Sequence, residues 1–156
     1  MPKIDIAKAE VRTKGVYPQP YRSVTDGREK AALGNVAGLT QFGVNLTLLK
    51  PGAASALRHW HEHEDEFIYV LEGEIALIED DGETLLKPGD CAGFKAGASN
   101  GHQLVNKSQK DARYLEIGTR AAVERCYYPG SDLIMERDEL GMRFLRKSGE
   151  PYPQEP

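Results

Sequence analysis

A chain of 156 residues with 40% hydrophobic and 28% charged positions is sized for one domain that buries a core without staples. Its net charge of −4 excludes a strongly basic nucleic-acid binder, and the densest basic stretch, residues 143–147, alternates with apolar residues beside Glu136, Asp138 and Glu139 as a solvated strand edge would. No segment approaches the apolar length of a membrane span, and MPKIDIAKAE lacks the apolar block of a signal peptide. A cytoplasmic, soluble protein is expected, with Cys91 and Cys126 as reduced thiols.

Residues 1–34 carry Tyr17, Pro18, Pro20 and Tyr21 with little periodicity and read as an N-terminal arm. Residues 44–49 alternate apolar and polar side chains before Pro51-Gly52 turns the chain. Residues 67–71 are β-branched and aromatic, and Glu72-Gly73 turns them. Residues 75–78 and 84–86 flank an acidic turn, with Asp81-Gly82 as its expected two-residue hairpin loop. Lys87-Pro-Gly-Asp90 turns the chain again, and runs follow at 104–105 and 113–117. Residues 121–125 and 135–140 come nearest to helical spacing, and neither sustains it. Residues 132–136 and 142–147 suit a hairpin, and the Pro-rich tail is expected to be disordered.

Many short strands at regular spacing make the fold class all-β. The expected organisation is an arm over 1–34, a barrel over 35–120 and a C-terminal extension over 121–156. Residues 67–71 are apolar at both parities. Both faces of that strand should therefore be covered, the outer one by a terminal arm or by a second subunit.

The chemistry concentrates in residues 58–66, RHWHEHEDE. On a strand, His59 and His61 project to one side and Trp60 to the other, where it packs rather than binds. Two imidazoles two residues apart can hold one cation. Glu66 opens the next strand on the face of Ile68 and Val70, and reaches the same cation if its strand pairs with that of His59. A glycine-rich turn delivers His102 at the start of a later strand. Three imidazoles and one carboxylate suit Mn, Fe, Co, Ni, Cu or Zn better than Ca or Mg. An octahedral ion so held keeps two positions open for water or substrate. Histidines in an acidic surface loop are the plainer reading of the His59/His61 pair taken alone. His63 shares their parity but suits a turn or a supporting role.

Gly52-x6-His59-x-His61-x4-Glu66-x6-Gly73 closely resembles the first motif of the cupin superfamily. Gly89-x5-Lys95-x-Gly97 followed by His102-x3-Asn106 resembles the second, with Lys95 in place of the usual proline and two extra residues before the histidine. The resemblance covers about residues 35–120. It implies a double-stranded β-helix (jelly-roll) barrel, with His59, His61, Glu66 and His102 as ligands of one divalent metal (Fe, Mn, Zn or Ni) and Asn106 in a structural role. It also implies a homodimer. Some small cupins of this kind are labelled sugar-phosphate isomerases.

Further candidates lie near the motifs. Lys95 is either a solvated turn residue or a cation at the barrel mouth that grips a carboxylate or phosphate. Tyr114 and Glu116 share one face of a late strand, where Glu116, like Glu66, could move a proton. Cys91, in a barrel turn, reads as a small buried residue. The expected function is a metalloenzyme acting on a polar, oxygen-rich metabolite by isomerase, lyase or dioxygenase chemistry. The alternative is a barrel that binds a metabolite without transforming it. Neither nucleic acid nor a membrane is an expected partner.

Overall fold

The computed structural model describes residues 3–153. Thirteen strands follow one another: β1 (Val11–Arg12), β2 (Arg28–Ala32), β3 (Phe42–Leu49), β4 (Trp60–His61), β5 (Glu66–Glu72), β6 (Ile75–Glu79), β7 (Gly82–Leu86), β8 (Cys91–Phe94), β9 (Gln103–Val105), β10 (Ala112–Thr119), β11 (Glu124–Tyr127), β12 (Ile134–Asp138) and β13 (Gly141–Leu145). One helical turn, α1 (Leu33–Val36), sits between β2 and β3. The stretches nearest to helical spacing, 121–125 and 135–140, instead contribute to β11 and β12. Tertiary pairing overrides weak local preference there.

One sheet has the order β1-β2-β3-β10-β5-β8, a second β13-β12-β11-β4, and a third β7-β6-β9. Isolated bridges Ala54↔Val105 and His59↔His102 tie the segment before β4 to β9, joining the second and third sheets into one wall. Leu49, Ile68, Val70, Ala112 and Tyr114 of the first sheet pack on Ile75, Leu77, Leu86 and Leu104 of that wall. The fold is the expected all-β jelly roll. The hairpin between β6 and β7 pairs Glu79 with Gly82, so its loop is Asp80-Asp81, one residue earlier than expected. Gly73 is required where it stands: its φ is +75°, and a Cβ there would lie 2.5 Å from the Asp111 carbonyl oxygen.

Both extensions build onto this barrel. The arm's β2 pairs along β3, from Arg28↔Leu49 to Ala32↔Asn45, and β1 caps that edge. Tyr17 from the arm joins Cys126, Tyr128, Leu133, Met135 and Tyr152 in a second core, where Tyr17 meets Tyr128 edge-to-face at 5.6 Å. The tail is not loose as far as Pro153. Pro151 bridges to Leu145, and the buried Tyr152 donates its hydroxyl to the Asp132 carbonyl at 2.6 Å. An aromatic side chain in a proline-rich segment was enough to dock it. The rest of the tail, residues 154–156, lies outside the described residues.

The doubly apolar strand has one open face. Ile68 and Val70 are fully buried, whereas Phe67, Tyr69 and Leu71 are each 40–44% exposed. Neither extension covers them, because the arm adds to the sheet edge and the C-terminal strands join the opposite wall. Cys91 pairs with Tyr69 on that same side and is exposed, against the expectation of burial. The turn position alone did not reveal which side of the sheet it occupied.

Candidate metal centre

His59 and His102 are locked to each other through their backbones: His59 N donates to His102 O at 3.1 Å and His102 N to His59 O at 2.9 Å. His61 follows in β4, whose partner β11 sets His61 opposite Cys126. Glu66 comes from elsewhere. Its strand belongs to the first sheet and does not pair with the segment carrying His59, contrary to the pairing considered above. The carboxylate instead reaches across the lumen from the opposing wall.

The four side chains converge on one point. Glu66 Oε2 is 3.0 Å from His102 Nε2, 3.5 Å from His61 Nε2 and 3.8 Å from His59 Nε2. His59 Nδ1 lies 2.7 Å from the Leu57 carbonyl, so that nitrogen carries the proton and Nε2 offers its lone pair to the lumen. Phe94 stacks flat on the His102 ring at 3.6 Å, with the planes 6° apart. The Nδ1 atoms of His61 and His102 are buried without a hydrogen-bond partner. His59, Glu66 and His102 hold their donor atoms within 4.8 Å of one another. Donors so close, drawn from nitrogen and carboxylate groups, fit a divalent transition metal.

His59, His61 and Glu66 open onto a cavity of about 510 Å³ that is also lined by Arg28, Lys30, Asn45, Glu116 and Tyr128 among others. Glu116 faces inward with the buried Tyr114, which settles the parity of β10. Lys30 Nζ donates to both Glu116 oxygens, at 2.7 and 3.0 Å, and Asn45 Nδ2 donates to one of them at 3.1 Å.

The Cupin domain family model matches residues 45–118. A protein of Silicibacter pomeroyi, described as a sugar phosphate isomerase from a cupin superfamily, is 46% identical. The alignment covers 97% of this chain and 96% of that one, with a TM-score of 0.93. The chain is a cupin. A protein of Acidithiobacillus ferrooxidans is 27% identical over 82% of this cupin and 81% of its own length, at a TM-score of 0.74. The polyketide cyclase RemF of Streptomyces resistomycificus shares the fold at 21% identity, over 76% and 79% of the two chains and with a TM-score of 0.61. No curated protein matches the cupin.

Other residues singled out in the sequence fall as follows. His63 is exposed in the turn after β4, away from the converging donors. Trp60 is half-buried and stacks on Tyr127 at 4.3 Å, packing as expected. Asn106 is structural: fully buried, it donates to the carbonyls of Leu49 and Lys110 at 2.8 and 2.7 Å. Lys95 is exposed and borders a smaller cavity of about 220 Å³ with Trp60 and His102, apart from Glu116 and Arg28. No helix among the described residues is long and apolar enough to cross a membrane.

Sequence reasoning missed Arg28, Lys30, Asn45, Phe94 and Glu124, since strand pairing alone brings them to the site. Glu124 is the most consequential. It is 1% exposed, and its carboxylate accepts the backbone N–H groups of Glu62, His63 and Arg125 at 2.9 to 3.3 Å. Its Oε1 lies 3.9 Å from His61 Nδ1. Glu124 therefore anchors the loop that separates the histidine pair from Glu66. Glu124→Ala should leave those donors unpaired and cost about 3 kcal/mol of stability, read from denaturant unfolding. It should also weaken metal affinity by about 10–100-fold. A variant as stable as the wild type would remove this anchoring role.

Electrostatics in the metal-free cupin follow from the same convergence. Burial acts to raise the Glu66 carboxyl, but the hydrogen bond with His102 and the proximity of His59 and His61 override it and hold the group well below the usual carboxylate range. Burial pushes the His59 imidazole down. Burial also opposes charge on His61, yet its contacts with Glu66, Glu124 and Glu64 raise it. A depressed carboxyl contributes stability that is complete above the unfolded value of about 4.3 and is lost as pH falls through the lower folded value. Acid unfolding of the metal-free protein should show that limb, and Glu66→Gln should lack it. Superimposable acid-unfolding curves would contradict this account.

Proposed function

We propose that this cupin is a divalent-metal-dependent enzyme acting on a small, oxygen-rich metabolite by proton transfer, as an isomerase or lyase. The observation that carries the reading is the Lys30–Glu116–Asn45 cluster on the wall of the same cavity that His59, His61 and Glu66 line. His59, His61, Glu66 and His102 would hold the ion, which supplies Lewis-acid polarisation of a substrate carbonyl or hydroxyl. Glu116 takes the proton from the hydroxyl-bearing carbon next to the carbonyl and returns it to the former carbonyl carbon, while the hydroxyl proton passes to the former carbonyl oxygen. Lys30 and Asn45 orient the Glu116 carboxylate, and the Lys30 charge balances it. The name borne by the Silicibacter pomeroyi protein supports the isomerase side of this reading.

The test is solvent exchange. Metal-loaded protein is incubated in heavy water with small hydroxy-aldehydes, hydroxy-ketones and hydroxy-acids, with and without oxygen, and followed by NMR. Loss of a carbon-bound proton signal without oxygen supports proton-transfer chemistry. Consumption of oxygen with substrate would instead make the protein a dioxygenase. A ligand that binds and is recovered unchanged would make it a metabolite-binding cupin.

We also propose that a second copy of the chain covers the outer face of β5. Phe67, Tyr69 and Leu71 form an apolar row that neither extension reaches. Light scattering should give a dimer. A monomer at all concentrations would refute it.

A further inference from the structure

Five cations line the main cavity: Arg12, Arg28, Lys30, Arg120 and Arg137. Three have their charge answered by a carboxylate of the chain, and a fourth, Arg120, has none among the described residues but is exposed to solvent. Lys30 is held by Glu116, Arg137 by Glu64 and the Ala121 carbonyl, and Arg12 by Glu10. Arg120 donates to the Leu39 carbonyl and to Asn35 Oδ1. The acidic lining residues are likewise taken. Glu64 and Glu116 have the partners just named, Glu66 faces the imidazoles, and Asp65 accepts from Ala96 N at 2.8 Å.

Arg28 is the exception. Its Nη1 donates to the Ser55 carbonyl, its Nε is buried with no partner, and no carboxylate among the described residues pairs with it. A guanidinium does not lose its proton, so a charge at this half-buried position is costly without a counter-ion. Phenols do not supply one. Burial pushes the Tyr17 hydroxyl up to about 12 and the Tyr114 hydroxyl well above its ordinary value, so both stay neutral. The missing anion must come with the ligand.

We propose that Arg28 is the specificity-determining residue of this cavity, taking the carboxylate or phosphate group of a small anionic substrate whose remaining oxygens face the four converging donors. Arg28 lies on β2, in the arm and outside the 45–118 family match. The segment that most sets this chain apart from a bare barrel thus selects the substrate class. The substrate role rests on the enzymatic reading above, but the anion contact itself needs no metal.

The probes are inorganic phosphate and malonate, titrated by calorimetry and by thermal shift into full-length wild type, Arg28→Gln and Arg28→Lys, each metal-free and metal-loaded. In the metal-free wild type at least one anion should bind, and Arg28→Gln should weaken it about tenfold or more. Tighter binding of phosphate points to a phosphorylated substrate, and tighter binding of malonate to a carboxylic acid. Arg28→Lys should weaken malonate several-fold and phosphate less, because an ammonium cannot form the two-pronged contact. Should Arg28→Gln not fold, the lysine variant decides: unchanged binding of both anions overturns the proposal. So does the absence of binding to the wild type, or equal binding to Arg28→Gln. Arg28-dependent binding in a protein that never takes up metal would sink the enzymatic reading and leave this one standing. Metal uptake with anion binding indifferent to Arg28 would do the reverse.

Discussion

His102→Ala should strip the cupin of its metal. Purified without a histidine tag, the wild type should carry a single equivalent of a divalent transition metal by elemental mass spectrometry, and the variant none. Affinity should fall by more than about 100-fold, since even supporting residues around a metal are worth 10–100-fold. His102 is the informative ligand because three restraints act on it. Its backbone is hydrogen-bonded in both directions to His59, its ring is stacked on Phe94, and its Nε2 is 3.0 Å from Glu66. Removing the ring therefore deletes a donor already in place rather than one that must be recruited. Metal should raise the melting temperature of the wild type and leave that of the variant unchanged. A wild type that holds no metal even after reconstitution would end the metal reading altogether.

Glu116→Gln should lower proton exchange or turnover by about 10²–10⁴-fold while leaving metal content intact. Glutamine nearly preserves the shape and can still accept from Asn45, so the cavity wall should hold its form. What it loses is the ability to take a proton, together with the charge that answers Lys30. Ligand affinity should change far less than the rate, because binding draws on the donors below and on Arg28. An unchanged exchange rate would remove Glu116 from the chemistry and turn attention to Glu66. Equal losses in metal and rate would mean that Glu116 is structural.

Much of the site was legible before any coordinates. The spacing of His59, His61 and Glu66 is local, and a period-two strand puts the two imidazoles on one side whatever surrounds them. His102 lies some forty residues on, yet its glycine turn and the Asn106 that follows mark it. Asn106 then proves to tie two carbonyls together in the interior. The burial of Ile68 and Val70 on the face of Glu66 follows the same alternation.

Other features could not be read that way. The wall from which Glu66 reaches the histidines, the inward turn of Glu116 and the docking of Tyr152 depend on which strands pair. Lys95 shows the limit well. It stands within the motif but borders the smaller cavity, while the cation beside the main one comes from the arm.

By itself, then, the sequence determined the all-β class, the four side chains of the cupin motif that meet in the interior and most of the glycine turns, because each rests on residues close in the chain or on strand alternation. Tertiary structure decided the rest: the sheet that carries Glu66, the Lys30–Glu116 pair, the Glu124 anchor and the unanswered charge of Arg28. Those contacts join residues as far apart as Lys30 and Glu116, and only hydrogen-bonded strand register brings such positions within reach.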